Sequence, residues 1–222
     1  MRILVTGKNG QLGRSIQKTV NADTKIGNDQ SPNEYIFVGK EDLDLSSKSS
    51  ISHYFGNNDK FDLIINCAAY TAVDKAEKEQ ELANQVNHLA VKQLAKIANK
   101  QQARLIHIST DYVFDGKSDK PYIETDTPNP INVYGKTKLA GEKALQTIMP
   151  MNALVIRASW LYSEYGNNFV KTMLKLGKER DELNVIIDQM GSPTYATDLA
   201  DAILEIIKHK KFRDVAQTTQ IY

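Results

Sequence analysis

A tyrosine and a lysine four residues apart, Tyr134 and Lys138, are the pair whose types and spacing best suit proton transfer. On a helix, residues i and i+4 share one face, so the two side chains would be neighbours. A free tyrosine has a pKa of about 10, and a nearby ammonium group favours its ionised form. We therefore expect Lys138 to lower the pKa of Tyr134 and to make it a general acid. The pair alone is weak evidence, because a surface helix can carry the same spacing by chance.

Upstream of this pair, Ser109 and Thr110 end an apolar run. A hydroxyl at the end of a strand can hold a carbonyl oxygen and stabilise the charge that develops on it. Thr110, Tyr134 and Lys138 therefore form a candidate catalytic group. The chemistry would be reduction of a carbonyl, with a hydride from a nicotinamide and a proton from Tyr134.

A glycine-rich segment, Gly7–Gly13, directly follows the apolar run 3–5 and precedes a helical pattern. In dinucleotide-binding folds the first glycine permits a tight turn, and the second lets the backbone approach the pyrophosphate. The third allows the helix to pack closely on the strand, and the N–H groups that open the helix bind the phosphates. The spacing of Gly7, Gly10 and Gly13 differs from the Gly-x-Gly-x-x-Gly of many dehydrogenases, and a plain structural turn is the alternative.

The residue that ends the second predicted strand favours NADPH as the cofactor. In this kind of fold an acidic residue at that position binds the ribose 2′-hydroxyl of NAD, whereas a basic residue accommodates the 2′-phosphate of NADP. Here the strand ends in Gly39 and Lys40, with Glu41 and Asp42 just after. Lys40 therefore predicts NADPH. A solvated surface lysine explains Lys40 equally well, and use of NADH stays open.

Short apolar runs alternate with longer segments of helical periodicity, which is typical of a parallel sheet covered by helices on both faces. Right-handed crossovers between parallel strands then give an α/β, doubly wound, Rossmann-like fold. The segments 27–33 and 116–130 are predicted loops, and Gly177 is a predicted helix end. The predicted strands are 2–6, 35–39, 62–67, 104–109, 153–158 and 184–187, and the predicted helices are 11–20, 79–100, 132–149, 169–176 and 197–209.

The composition is that of an ordinary globular protein of 222 residues, with 41% hydrophobic and 25% charged residues. Its 28 basic and 27 acidic residues are interspersed, which argues against a nucleic-acid partner. A single cysteine, Cys67, excludes a disulfide framework within the chain and fits a reducing compartment. No signal peptide or membrane-spanning run is evident, so we expect a cytoplasmic protein. Cys67 and His107 are both expected in the core.

Seven blocks of sequence, in order along nearly the whole chain, resemble the extended short-chain dehydrogenase/reductase family. Within that family the likeness is to the reductases that act on nucleotide-linked 4-keto sugars. The resemblance implies a dinucleotide-binding fold, a nicotinamide cofactor and a sugar-nucleotide substrate. The blocks are residues 5–13, 66–77, 107–116, 132–142, 157–162, 166–170 and 188–194.

The resemblance also implies roles for individual residues. Thr110 and Asp111 would contact the sugar nucleotide, and Trp160 would pack against its sugar. Tyr134 would donate the proton, and Lys138 would bind the nicotinamide ribose. Without the family, Asp111 is more simply a cap or turn residue and Trp160 a half-buried aromatic. The implied cofactor contacts are Gly10, Gln11 and Leu12 at the phosphates, Asp44 and Leu45 at the adenine, and Ala68, Ala69 and Tyr70 along the cofactor, besides Gly7, Gly13, Lys40, Tyr134 and Lys138.

The likeness divides the chain into two parts. Residues 1–160 are predicted to form the dinucleotide-binding domain, which contains the catalytic tyrosine and lysine, and residues 161–222 part of a substrate-binding lobe. The family normally continues beyond a strand that this chain reaches at Ile221 and Tyr222. We therefore expect the substrate lobe to be truncated relative to the family. Some members of the family use magnesium, but the sequence contains no ligand cluster that demands a metal.

Together these features predict an NADPH-dependent reductase of a nucleotide-linked 4-keto sugar, which would supply a 6-deoxy sugar for cell-surface polysaccharide. Two other classes stay open. One is a non-catalytic regulatory subunit on the same fold, like the beta subunit of methionine adenosyltransferase, because fold does not fix function. The other is a related sugar-nucleotide epimerase or dehydratase, although Thr110 followed by Asp111 and Tyr112 fits a reductase better. The sequence leaves the oligomeric state open, a homodimer included.

Overall fold

The computed structural model describes residues 1–25, 33–185 and 189–222. Except for Asn33, the predicted loop over 27–33 lies outside these residues, as does part of the predicted strand over 184–187. Asn184 and Val185, which are described, belong to no helix or strand. No helix in the described parts of the chain is long and apolar enough to cross a bilayer.

A parallel sheet forms the centre of the structure. The strands are β1 (Arg2–Thr6), β2 (Glu34–Val38), β3 (Leu63–Asn66), β4 (Arg104–Thr110), β5 (Ala153–Ala158), β6 (Leu161–Tyr162), β7 (Thr194–Tyr195) and β8 (Gln220–Ile221). Six of them pair in parallel in the order β2-β1-β3-β4-β5-β8, while β6 and β7 form a separate parallel pair. The five predicted strands from β1 to β5 are thus confirmed, each to within one residue at either end.

Helices connect the strands. They are α1 (Gln11–Lys25), α2 (Lys48–Gly56), α3 (Val73–Ala76), α4 (Gln80–Asn84), α5 (Ala90–Gln101), α6 (Val133–Ile148), α7 (Phe169–Glu179), α8 (Ala196–Lys208) and α9 (Lys210–Asp214). A π-helical turn, Gln85–Leu89, joins α4 to α5, so the predicted helix over 79–100 is present but is wound differently at its centre. The predicted loop over 116–130 contains no helix or strand.

Two details of the predicted helices differ from the structure. Gly177 does not end α7, which continues to Glu179. A glycine inside a helix costs only about 1 kcal/mol relative to alanine, and neighbouring turns outweigh that cost here. Helix α2 was not predicted, because it is short: Ile51 is its one buried residue, and only Tyr54 and Phe55 join it in packing against the core. Its sequence signal is the cap: the Ser47 hydroxyl accepts the N–H of Ser50 at 3.2 Å.

The sheet is buried on both faces, and successive residues of a strand serve opposite sides. Leu4 of β1 packs into a cluster with residues of α2, α5 and α6, such as Leu94. Its neighbours Ile3 and Val5 pack into a second cluster with α1 and α8, through residues such as Ile16. This alternation explains why the strands read as continuous apolar runs: both faces need apolar side chains.

The strand order reverses beside β1, and the reversal creates the place for a ligand. The chain passes from β1 to β2 on one side and then crosses to β3 on the other. The connections on the two sides of β1 therefore leave in opposite directions, and a crevice opens at the carboxyl ends of β1 and β3. In open α/β sheets such a switch point is where ligands bind. The predicted doubly wound α/β fold is confirmed.

The chain after β5 contributes to two places. Strands β6 and β7 and helix α7 lie outside the main sheet. Helix α8 then packs against α1, where the Thr19 hydroxyl donates to Asp201 Oδ1 at 3.1 Å, and β8 pairs with β5. The strand expected near Ile221 is therefore present. A division of the chain at residue 160 stays a prediction. The described residues of 159–185 and 189–195 take no part in the main sheet.

Candidate active site

The glycine segment forms a tight turn between β1 and α1. Gly7 has a φ of +73°, in the left-handed region that favours glycine, and a Cβ there would lie 2.9 Å from the backbone nitrogen of Ala68. A Cβ on Gly13 would overlap the carbonyl oxygen of Gly7. Gly10 is exposed, and its N–H donates to the Gly7 carbonyl at 2.9 Å. The turn and the close helix packing of a phosphate-binding loop are therefore present, with the middle glycine facing outward.

Gln11 opens α1 and connects the glycine turn to the segment after β5. Its Nε2 donates to the Leu161 carbonyl at 3.1 Å, and its Oε1 accepts from Ser163 Oγ at 3.0 Å and Asn168 Nδ2 at 2.9 Å. Because the amide is engaged in this way, a contact from Gln11 to a phosphate would come from its backbone N–H. The neighbouring Leu12 is buried in the core between α1 and the sheet.

Charged residues surround the loop after β2, where the adenosine end of a dinucleotide would lie. Lys8 Nζ is 3.0 Å from Glu41 Oε1 and 2.5 Å from Asp42 Oδ2. Hydrogen bonds to Asp42 and then Glu41 raise the pKa of Lys8. Lys40 is exposed. The charge of Lys8 thus compensates the two acidic residues that follow Lys40.

The two residues predicted at the adenine have different surroundings. Asp44 Oδ1 accepts the N–H of Ser46 at 2.8 Å and its hydroxyl at 2.6 Å, and the hydroxyl bond is the first cause of the lowered pKa of Asp44. Leu45 is buried in the core between the sheet and α2. Both lie in the loop that follows β2, at the carboxyl edge of the sheet.

The end of β3 is held by a residue that the sequence did not single out, Asn87 in the π-helical turn. Its Oδ1 accepts the N–H of Tyr70 at 2.9 Å, and its Nδ2 donates to the Tyr70 carbonyl at 3.0 Å and to Thr137 Oγ1 at 3.2 Å. Ala68 donates its N–H to Thr6 Oγ1 at 3.3 Å. Asn87 therefore joins the backbone just beyond Ala68 and Ala69 to helix α6. The inward direction of the Asn87 side chain could not be predicted from helical periodicity, because a π-helical turn changes the spacing of residues that share a face.

Thr110 ends β4 and caps a 3₁₀ turn, Asp111–Val113. Its Oγ1 accepts the N–H of Tyr112 at 3.2 Å and donates to Asp111 Oδ1 at 3.0 Å. Asp111 Oδ2 accepts from Ser159 Oγ at 2.8 Å. Sequence alone favoured a cap or turn residue at Asp111: the cap is Thr110, and Asp111 is the first residue of the 3₁₀ turn. Asp111 also links the ends of β4 and β5.

Tyr134 lies at the start of α6 and is 8% exposed. Burial raises its pKa to about 12, a side-chain hydrogen bond with Thr110 lowers it, and the charge of Asp111 raises it. The ring of Tyr112 packs edge-on against it, with centroids 5.5 Å apart. The next residue, Gly135, lets α6 approach the 3₁₀ turn, because a Cβ there would overlap the Tyr112 carbonyl oxygen.

Lys138 is buried one turn further along α6, with 1% of its surface exposed. Its Nζ donates to the Ile108 carbonyl at 2.6 Å. Burial lowers its pKa to about 8, and the charge of Glu142 opposes this shift. The expectation that Lys138 lowers the pKa of Tyr134 is wrong for the protein alone: the ammonium is directed to a strand carbonyl, and desolvation of the phenol outweighs the other effects.

Trp160 lies between β5 and β6 with a φ of +46°, which is unusual for a residue with a side chain. Its ring is edge-on to Phe169, with centroids 5.3 Å apart, and its carbonyl accepts the N–H of Thr194 at 3.3 Å. A Cβ on Gly191 would overlap its indole nitrogen. Trp160 is half-buried. This exposure agrees with the expectation of a half-buried aromatic residue, and it also agrees with a ring that packs on a ligand.

The two residues assigned to the core behave differently. His107 is fully buried, its Nδ1 is 3.0 Å from Asn66 Nδ2, and burial lowers its pKa well below the usual value. The core role of His107 is therefore confirmed. Cys67 is half-buried and packs against the apolar cluster on the α1 side of the sheet. Among the residues that the structure describes, no group of three or more His, Cys, Asp or Glu is placed to hold a metal ion.

The predicted site residues gather at one edge of the sheet. Gly7–Gly13 follow β1, Ala68–Tyr70 follow β3, and Thr110 ends β4, and these three strands are neighbours. Helix α6 brings Tyr134 and Lys138 to the same edge. A glycine cradle beside a buried threonine, tyrosine and lysine fits a nicotinamide dinucleotide and defines a protein of the short-chain dehydrogenase/reductase class.

Comparison with known proteins gives the family. A family model described as the RmlD substrate binding domain matches residues 1–222, and the chain belongs to this family. The dTDP-4-dehydrorhamnose reductase of Salmonella typhimurium is 47% identical over 212 residues, which are 94% of this chain and 67% of that relative.

Solved structures agree with this assignment. A dTDP-4-dehydrorhamnose reductase from Clostridium acetobutylicum matches with a TM-score of 0.87 and 42% identity, over 100% of this chain and 74% of that one. The enzyme of the same name from Bacillus anthracis, in complex with NADP, matches with a TM-score of 0.86 and 39% identity, over 100% of this chain and 73% of that one.

Proposed function

We propose that the protein reduces the C4 keto group of dTDP-4-dehydro-L-rhamnose to give dTDP-L-rhamnose, with NADPH as the reductant. The observation that carries the proposal is the buried group of Thr110, Tyr134 and Lys138 beside a glycine cradle at the switch point of the sheet. The family membership supports it, since the relatives named above are dTDP-4-dehydrorhamnose reductases and one was solved with NADP.

The cofactor would lie across the carboxyl edge of the sheet and, when bound, supply a hydride to the carbonyl carbon. Gly7, Gly10 and Gly13 give the backbone its approach to the phosphates, with the N–H groups of Gln11 and Leu12 at the start of α1. We assign the ribose 2′-phosphate to Lys40, the adenine to Asp44 and Leu45, the middle of the cofactor to Ala68, Ala69 and Tyr70, and the nicotinamide ribose to Lys138.

Tyr134 would be the proton donor. Its pKa of about 12 means that the phenol keeps its proton at neutral pH until a stronger base is present. As the carbon receives the hydride, the electron pair of the carbonyl bond moves to oxygen, which takes the proton from Tyr134 Oη. Thr110 would hold that oxygen by turning towards it the hydroxyl proton that it donates to Asp111 in the free protein. The Lys138 ammonium would then stabilise the phenolate, which explains why a cation is kept in a buried position.

Binding of the sugar nucleotide is assigned to the other side of the site. Asp111 links β4 to β5 and would contact the substrate, and Trp160 would pack on its sugar. The described residues of 159–185 and 189–195, which take no part in the main sheet, include Trp160 and support a substrate-binding role for the predicted lobe over 161–222. We also propose that the protein acts in the cytoplasm and has no nucleic-acid partner, as its balanced charge supports. Light scattering, which measures the molar mass in solution, would show whether the protein forms a homodimer.

The test is an NADPH oxidation assay with dTDP-4-dehydro-L-rhamnose, combined with chromatographic identification of the product. Fluorescence titration of NADPH without sugar measures cofactor binding separately. We expect oxidation of NADPH with formation of one equivalent of dTDP-L-rhamnose. NADPH binding without oxidation by this or any other nucleotide-linked keto sugar would contradict the reductase and favour the regulatory subunit. Formation of an epimer without net oxidation would favour the epimerase.

A further inference from the structure

A buried ion pair, Glu142 with Arg157, lies one turn of α6 beyond Lys138. Glu142 follows Lys138 by one turn of α6 and is fully buried. Arg157 of β5 holds it with two hydrogen bonds, Nε to Oε1 at 3.1 Å and Nη2 to Oε2 at 2.7 Å. The guanidinium also lies over the ring of Phe114, 5.0 Å from its centre. This bidentate geometry fixes the position of the carboxylate firmly.

The same carboxylate is bound to the strand that carries the catalytic threonine. The Ser109 hydroxyl donates to Glu142 Oε1. The carbonyl oxygen of the preceding residue, Ile108, accepts a hydrogen bond from Lys138 Nζ at 2.6 Å. The side chain of the following residue, Thr110, is hydrogen-bonded to Tyr134. Three consecutive residues of β4 therefore each hold one of three side chains spaced four apart on α6. The arrangement fixes the helix to the strand at the atoms where the chemistry takes place.

Stability alone does not account for a charged pair at this depth. Removing two charges from water costs several kcal/mol per ion, and replacing a buried ion pair by apolar residues is often neutral or stabilising. Arg157 Nη1 has no partner within the described residues, so the pair is not fully satisfied. The contacts of Glu142 hold α6 to β4 and β5, and its charge also acts on Lys138, one turn earlier on the same helix.

The other titratable groups around Lys138 carry no negative charge at neutral pH. Burial raises the pKa of the Cys67 thiol, after β3, and lowers that of His107, on β4. Tyr134, on α6, keeps its proton. Arg157, on β5, is a cation. Glu142 and, after it, Cys67 are the described groups whose charge would raise the pKa of Lys138. Because burial raises the pKa of the Cys67 thiol to about 12, the Glu142 carboxylate is the one of the two that acts at neutral pH.

We propose that Glu142, held by Arg157 and Ser109, is a positioning residue that keeps the Lys138 ammonium charged and in place, one turn of α6 from Tyr134, during the reaction. The inference rests on the proposed function for its kinetic consequence. Its effect on the titration of Lys138 is a property of the protein alone and can be measured without a substrate.

The test is Glu142→Gln, which removes the charge at nearly the same size. One side-chain oxygen remains to accept from Ser109 and Arg157, while the hydrogen bond from Arg157 Nη2 is lost. We expect the titration midpoint of Lys138, followed by NMR of 13C-labelled lysine and assigned with Lys138→Met, to fall from about 8 by about 1 pH unit. The alkaline limb of the kcat profile should move down by the same amount, because activity is lost as Lys138 loses its proton. At pH 7.5 and above kcat should fall several-fold, with NADPH affinity changed by less than about threefold.

Matched variants separate charge from packing. Glu142→Asp keeps the charge, so we expect a lower kcat with an unmoved alkaline limb. Glu205→Gln breaks the exposed pair with Lys208, 2.8 Å apart, and should change neither quantity. If Glu142→Gln does not fold, Glu142→Gln combined with Arg157→Gln gives a neutral buried pair. Because a cation is removed together with the anion, we expect a smaller downward shift of the Lys138 midpoint in this double variant.

An unmoved Lys138 midpoint in the folded Gln variant overturns the proposal. So does an equal shift in Glu142→Asp. Failure of the wild-type protein to reduce any nucleotide sugar would overturn the proposed function instead, and the NMR titration would still decide the role of Glu142.

Discussion

Helix α6 carries Tyr134 and Lys138, and helix α7 begins at Phe169, which packs against Trp160. The two helices differ sharply in how much of each is buried. Helix α6 buries eight residues, Tyr134, Gly135, Thr137, Lys138, Leu139, Gly141, Glu142 and Leu145. Helix α7 buries none of its residues, and Phe169 and Leu174 are 47% and 62% exposed. The residues that we assign to the reaction are therefore built into the core, where packing fixes their geometry before a ligand arrives. The side assigned to the sugar is held mainly through the start of α7.

The largest effect is expected from removing the proton donor on α6. Tyr134→Phe should lower kcat by about 10²- to 10⁴-fold, because a general acid contributes that much to a rate. NADPH affinity should stay nearly unchanged, since the ring remains in place. The measurements are NADPH oxidation and fluorescence titration. Tyr122→Phe, which loses a hydroxyl hydrogen-bonded to Asp115 at 2.9 Å, is the control and should keep full turnover. Substantial turnover by Tyr134→Phe would show that another group supplies the proton.

The contrast in packing predicts unequal effects of the same substitution in the two helices. Leu145→Ala, at a fully buried position of α6, should lower the free energy of unfolding by about 2–5 kcal/mol through lost burial and a cavity. Leu174→Ala, at an exposed position of α7, should change it by less than about 0.5 kcal/mol. Urea denaturation followed by circular dichroism measures both. Similar values for the two variants would mean that the comparison between the helices is wrong.

Two glycines sharpen the comparison at the level of the backbone. Gly13→Ala places a methyl group against the Gly7 carbonyl and should cost about 1–3 kcal/mol of stability and weaken NADPH binding. A Cβ on Gly177, in α7, would meet nothing within 4 Å. Gly177→Ala should therefore stabilise the protein by up to about 1 kcal/mol through helix propensity. Thermal unfolding with and without NADPH compares them, and a stabilised Gly13→Ala would contradict the close packing.

The smallest effect concerns cofactor choice at the exposed loop after β2. Lys40→Ala should weaken NADPH about fivefold and leave NADH unchanged, since an exposed ion pair contributes about 1 kcal/mol or less. Calorimetric titration of both nucleotides measures the preference, and Lys178→Ala on α7 is the matched control. An equal loss for both nucleotides would show that Lys40 does not read the 2′-phosphate.

Sequence reasoning predicted most of the sheet and the positions of the glycine turn and of Tyr134 and Lys138. These features have local causes, namely apolar runs, helical spacing and glycines at a strand end. The structure added Asn87, Glu142 and Arg157, whose importance depends on contacts between distant segments. Arg157 and Glu142, which form an ion pair, are 15 residues apart in the sequence. Asn87 and Thr137, which are hydrogen-bonded, are 50 residues apart. Charged and amide residues are also usually exposed, so their type gave no hint of burial.

The pKa of Tyr134 was predicted wrongly for a related reason. Spacing on a helix shows that two side chains share a face, but the direction of a flexible lysine depends on its acceptors. The acceptor here, the Ile108 carbonyl, belongs to a strand 30 residues earlier. Desolvation depends on the whole surrounding core, which no pair of residues reveals.

The hydrogen bonds of the Gln11 side-chain amide can form only late in the synthesis of the protein. Its three side-chain partners, Leu161, Ser163 and Asn168, lie 150 to 157 residues further along the chain. A chain made from its N-terminus can pair β1 with β2 and β3 well before those partners exist. The glycine turn can therefore form before its bonds to the segment that bears Trp160, which require residues 161–168 to have been synthesised.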